Sequence, residues 1–122
     1  MNDVTPPADL RLRTKSYALR IIRMFVALPK SDMARILGRQ TLRSGTSVGA
    51  NYREAYRARS KAEFISKIGD CLKELEGTAY WLELLAESET IPAKKLSALL
   101  QEADELTAIF TTIVKRAKGR SS

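Results

Sequence analysis

Residues 93–118 read AKKLSALLQEADELTAIFTTIVKRAK, and Leu96, Leu99, Leu100, Ala103, Leu106, Phe110, Ile113, Val114 and Ala117 recur in it at steps of three and four. That spacing puts every apolar side chain on one stripe of a helix. The cations Lys115, Arg116 and Lys118 gather at the far end, where a helix carries partial negative charge. No part of the chain shows the two-residue alternation of a half-buried strand.

Upstream, the same pattern appears three more times. Ala18, Ile21, Ile22 and Phe25 mark a first helix over about 10–28, stopped by Pro29. Ser31 is placed to cap a second helix over about 32–58. Its expected seam is Met33, Ile36, Leu37, Gln40, Ser44, Ser47, Val48, Asn51, Ala55 and Ala58. Ser60-Lys61-Ala62-Glu63 reads as a capping box that opens a third helix over about 61–88. Its stripe is Phe64, Ile68, Leu72, Leu75, Ala79, Leu82 and Ala86. The fourth helix spans about 93–118, with Pro92 suited to its first turn. A single helix over 32–88 is the rival reading, but a lone helix that long could not bury its seam. Four amphipathic helices with short links predict an all-α, antiparallel, up-and-down four-helix bundle over 10–118. Residues 1–9, with Pro6-Pro7, read as a flexible arm, and 119–122 as a flexible tail.

The composition narrows the chemistry. The 122 residues suit one domain. Histidine is absent and Cys71 is the single cysteine, which removes His-based catalysis, Cys/His zinc sites and any internal disulfide. Neither a P-loop nor a Gly-x-Gly-x-x-Gly run occurs. The acids of the third helix (Asp70, Glu74, Glu76, Glu83, Glu87) lack the Glu-x-x-His partners of a bundle di-metal site, so a solvated face or salt bridges explain them better. The expectation is a non-enzyme without metal or cofactor. A small-molecule or metal-binding bundle enzyme is the outlying reading. The N-terminus lacks a signal-peptide pattern and no stretch is apolar enough to span a bilayer, so the expected location is cytoplasmic, away from the membrane.

The charge of +7 is unevenly placed. Residues 1–59 hold 12 Lys/Arg and 4 Asp/Glu, while residues 60–122 hold 9 and 10. Such a basic half either solubilises the surface or meets an anionic partner such as RNA or DNA.

At about 100° per residue the second helix divides into three faces. Arg35, Arg39, Arg43, Arg53 and Arg57 share one, as solvated side chains paired with third-helix acids or as contacts to phosphates. No aromatic residue interleaves them, so backbone binding is expected and base reading is not. Gln40, Ser44, Ser47, Asn51 and Glu54 form a polar seam, read as a buried hydrogen-bond network or a ligand pocket, with Glu54 requiring a cationic or amide partner. Gly38, Leu42, Gly45, Gly49, Tyr52 and Tyr56 lie on the third face. Leu42, Gly45, Gly49, Tyr52 and Tyr56 are expected to join subunits, because the glycines admit a close backbone.

The run Gln40-Thr41-Leu42-Arg43-Ser44-Gly45-Thr46-Ser47-Val48-Gly49-Ala50-Asn51-Tyr52-Arg53-Glu54-Ala55 resembles the signature of the four helix bundle protein family, named for proteins encoded in intervening sequences of bacterial 23S ribosomal RNA genes. Ser60-Lys61-Ala62-Glu63-Phe64 and residues 73–82 match its third-helix pattern, and the resemblance runs from about Tyr17 to Val114. Ala55 stands where many members have glycine. The resemblance implies a left-handed bundle and a homo-oligomer, with a pentamer expected. A related branch, the accessory variability determinant of diversity-generating retroelements, is basic, assists a reverse transcriptase and binds nucleic acid. The resemblance carries over no catalytic residues. The function expected is therefore a nucleic-acid-binding accessory bundle; the alternative is a protein-interaction scaffold whose arginines only solubilise it.

Overall fold

Two serines open two of the helices. Ser31 accepts from the Ala34 N–H at 3.2 Å, and Ser60 accepts from the Glu63 N–H at 3.1 Å. Each satisfies a first-turn donor that has no carbonyl partner within its helix. Glu63 reaches back to the N–H of Arg59 at 3.1 Å, one residue outside the usual capping-box target. The chain therefore breaks between the second and third helices, which excludes one continuous helix.

The computed structural model describes residues 7–119, with side chains from residue 10 onward. Its helices are α1 (Pro7–Val26), α2 (Asp32–Tyr56), α3 (Lys61–Glu87) and α4 (Ser97–Gly119), with a single 3₁₀ turn at Ala93–Lys95. Several boundaries differ from expectation, among them the end of α2 at Tyr56 and the run of α4 through Gly119, the first residue of the expected tail. Helix α1 begins inside the expected arm, because Pro7 at a first helical position loses no bonded N–H. It ends at Val26, before Pro29. The expected fourth helix divides into the 3₁₀ turn and α4. Residues 1–6 of the expected arm and 120–122 of the expected tail lie outside the described residues.

Short links fold each helix back along the one before it. Helix α2 packs against α1 and α3, α3 packs against α4, and α1 and α4 close the bundle through fewer contacts. The described residues contain no strand. The core is built from Leu10, Tyr17 and Ile21 of α1, Ala34, Val48 and Tyr52 of α2, Ile68, Leu75, Leu82 and Leu85 of α3, and Leu99, Leu106 and Phe110 of α4.

The sparse α1–α4 seam is clamped by polar groups. The Tyr17 hydroxyl donates to the Leu99 carbonyl at 3.0 Å. Arg13 holds Glu102 with two hydrogen bonds, at 2.8 and 2.9 Å, and Glu105 with a third at 2.8 Å. The bond to Glu102 holds the Arg13 guanidinium above its usual range. Such a fork is the strong form of charge-assisted hydrogen bond.

Candidate nucleic-acid interface

Helix α2 is the central element of the site. Its buried residues are Ala34, Leu37, Gly38, Thr41, Ser44, Gly45, Val48, Tyr52 and Ala55. Arg35, Arg39, Arg43, Arg53 and Arg57 are all exposed on the opposite side. Arg43 lies 3.6 Å from Glu74 of α3, the one arginine of the five with an ion pair among the described residues. At 61% side-chain exposure that pair is weak. Arg35, Arg39, Arg53 and Arg57 face no carboxylate within ion-pair distance among the described residues.

Helix α1 adds two cations to this face. Arg11 and Lys15 converge with Arg53 over a cleft of about 350 Å³ whose walls and floor are Thr14, Ala18, Thr46, Gly49 and Ala50. A second hollow of about 240 Å³, between Arg11, Leu12, Lys15 and Arg53, continues it outward. No acid lines either one. The Arg11 guanidinium stacks over the Tyr56 ring, 4.7 Å from its centroid, which steadies it at the mouth. Three cations over a concave floor of small residues can meet an anionic oxygen from several sides. A larger cavity of about 570 Å³ lies between α3 and α4, but Glu76, Glu83 and Asp104 line it, the wrong sign for phosphate.

Arg11 and Lys15 fall in the basic first half of the chain but outside the α2 stripe, which the periodicity of a single helix defines. Their spacing of four residues on α1 was a legible signal. Their closeness to Arg53 depends on how α1 crosses α2.

Much of the face expected to join subunits packs inside the protomer. Gly45 meets Ile21, and Gly49 meets Thr14, both on α1. Tyr52 is buried, with its ring 5.6 Å from Phe110. Leu42 is half-buried against the core and Tyr56 is exposed beneath Arg11. The glycines do admit a close neighbour, but it is α1 of the same chain.

The expected buried polar network also dissolves. Gln40 and Glu54 are exposed, and Ser47 and Asn51 are half-buried. Glu54 finds its cation in Lys67 of α3 at 2.6 Å, a surface pair that holds the Lys67 ammonium above its usual range. Ser44 and Ser47 donate to the carbonyls four residues back, those of Gln40 and Arg43, at 3.0 and 2.7 Å. Asn51 donates to Ser47 in the same way at 3.1 Å. Hydroxyls and amides satisfied by their own helix need no network between helices. Of the seam's hydroxyls and amides, only Ser44 reaches another helix among the described residues, where it accepts from the Thr78 hydroxyl.

A family model described as 23S rRNA-intervening sequence protein matches residues 9–112. The chain belongs to that family. The matched span includes the whole α1–α2 cleft and all five exposed arginines of α2. The chain is also similar to a crystal structure, at 1.70 Å resolution, of a protein with unknown function from the S23 ribosomal protein family of Bacteroides thetaiotaomicron. The two share 35% identity over 89% of this chain and 97% of that one, with a TM-score of 0.83. No curated protein matches.

Other chemistry in this family member is modest. Among the described residues no group of three or more His, Cys, Asp or Glu is placed to hold a metal ion, and no helix is long and apolar enough to cross a membrane. Cys71 is buried, and burial pushes its thiol up to about 12. A thiol so poor in thiolate is a packing residue at neutral pH.

Proposed function

We propose that the chain binds the phosphate backbone of RNA or DNA, without catalysing a reaction on it, through the α1–α2 face. The observation that supports this reading is the convergence of Arg11, Lys15 and Arg53 over a cleft free of acids. Arg57, Arg39 and Arg35 extend the same positive face, which from Arg35 to Arg57 runs about 33 Å at 1.5 Å per residue. No aromatic ring interleaves the α2 arginines, and the Tyr56 ring at the cleft is covered by the Arg11 guanidinium, so backbone contact without base reading is the expected mode. The proposed working form is a homo-oligomer, expected as a pentamer from the family resemblance and supported by large apolar side chains exposed on α1.

The test is binding of oligonucleotides of unrelated sequence over a range of salt. Each phosphate neutralised adds about 0.7 to 0.9 to the slope of log affinity against log salt. Replacing Arg11, Lys15 and Arg53 together with glutamine should lower that slope by two to three and leave the helical signal intact. No binding at low salt, or an unchanged slope in the triple variant, would reject the cleft.

A further inference from the structure

Helix α1 has two seams. Leu10, Thr14, Tyr17, Ile21 and Met24 form the buried one. On the opposite side lie Leu12, Leu19, Ile22 and Val26, exposed at 68%, 43%, 40% and 76%. With Lys15 they follow steps of three, four, three and four, the spacing of a helix seam that packs on another surface. Lys15 sits within this outward seam, and Arg23 is exposed beside it.

Elsewhere on the protomer is a receptive surface. The cleft of about 570 Å³ between α3 and α4 has Leu72, Leu75, Ala79 and Thr107 among its lining residues, with Tyr80 at its mouth. Tyr80 is 54% exposed, edge-on to Trp81 at 5.2 Å. Glu76, Glu83 and Asp104 rim the cleft, and none forms an ion pair among the described residues. Helices α1 and α3 are not neighbours in the bundle. One protomer therefore presents both surfaces at once.

We propose that the Leu19–Val26 part of the α1 outward seam of one copy, with Arg23 at its edge, docks in the α3–α4 cleft of the next and leaves Leu12 and Lys15 at the phosphate cleft. This rests on the homo-oligomeric part of the proposed function and names the surfaces that would build it. An apolar stripe with a basic edge meets an apolar cleft with an acidic edge, so burial and charge act together. At 1.5 Å per residue the stretch from Leu19 to Val26 is about 11 Å long, and the α3 wall from Leu72 to Glu83 about 16 Å, so the cleft is long enough to take it. Pairing α1 with α1 would instead press Lys15 and Arg23 of two copies together, which like charge opposes. Contact between two different surfaces repeats from copy to copy and closes as a ring when the rotation allows.

The test is sedimentation of the full chain at micromolar concentration. A seam variant, Leu19→Glu with Arg23→Glu, and a cleft variant, Glu76→Lys with Glu83→Lys, change exposed positions outside the proposed phosphate cleft. Each alone should sediment as a monomer with unchanged helical circular dichroism. Mixed one to one, they should associate again into alternating assemblies of even copy number, because each carries the charge the other now requires. A wild-type oligomer that neither variant weakens would overturn the docking and leave the oligomeric reading in place. Loss in both variants without recovery on mixing would also overturn it. A monomeric wild type would overturn the oligomer itself.

Discussion

Ile21 of α1 lies where a side chain on Gly45 of α2 would begin: a Cβ there would sit 2.9 Å from Ile21 Cγ1 and 3.1 Å from Cγ2. Ile21 is fully buried and branched at Cβ, so it has little room to turn aside. Gly45→Ala should therefore destabilise the protein by about 1–3 kcal/mol through overpacking, although alanine gains roughly 1 kcal/mol in helix propensity. The decisive comparison uses Ile21→Ala as background. With the isoleucine truncated the clash is gone, and Gly45→Ala should become stabilising in urea unfolding. The same sign in both backgrounds would show that α1 does not press on Gly45.

That contact also marks how far the sequence could be read. Helix number, the Ser31 and Ser60 caps and the break before α3 follow from local chemistry and were legible. Which face of α2 turns inward was not. Met33 and Ile36 argued for a seam on their side, yet both stand exposed, at 52% and 59%. Gly38, Gly45 and Gly49 weaken a helix locally but let α1 lie close, and that benefit exists only once two helices meet. The seam hydroxyls misled for the opposite reason. Ser44 and Ser47 looked in need of partners on other helices, while the carbonyls of Gln40 and Arg43 already served them.

The Ser44 and Thr78 hydroxyls lie 2.8 Å apart, both fully buried. Ser44 also reaches the Gln40 carbonyl at 3.0 Å, and Thr78 the Glu74 carbonyl at 2.7 Å. Two protons thus serve the contact and one carbonyl. Thr78→Val keeps the shape and removes one hydroxyl, so it should cost about 1 kcal/mol. Ser44→Ala with Thr78→Val should cost less than the sum of the single changes, since neither leaves the other unpaired. Strict additivity in a double-mutant cycle would mean the hydroxyls are not coupled.

Glu89 has φ 60°, the one positive value outside glycine among the described residues. It follows the Ser88 cap of α3, where its N–H donates to the Ala86 carbonyl at 3.0 Å and the Thr90 N–H donates to the Leu85 carbonyl at 3.1 Å. This is the glycine position of a Schellman ending. A side chain there costs about 1–2 kcal/mol. Glu89→Gly should raise the unfolding free energy by up to about 1 kcal/mol, after the extra freedom glycine has when unfolded. A lower melting temperature in Glu89→Gly than in wild type would contradict the turn geometry.

Alkali should unfold the bundle from its centre. Burial pushes the Cys71 thiol up to about 12 and the Tyr52 phenol up to about 12, and lifts Tyr17 as well. In each the folded state favours the protonated form, so the contribution is complete below the unfolded pKa and lost as pH rises through the folded one. The losses begin near the ordinary cysteine value of 9.0 and continue as Tyr52 departs from 10.0. Cys71 alone accounts for on the order of 4 kcal/mol between pH 9 and 12. Tyr17 adds to the loss, because its ionised oxygen could no longer donate to the Leu99 carbonyl. The urea midpoint should hold steady from pH 7 to about 8.5 and then fall. Cys71→Ala should lower the midpoint at pH 7 through the cavity it leaves, yet flatten the first part of the alkaline fall. A wild-type midpoint that stays level to pH 11 would show that these groups reach water in the folded protein.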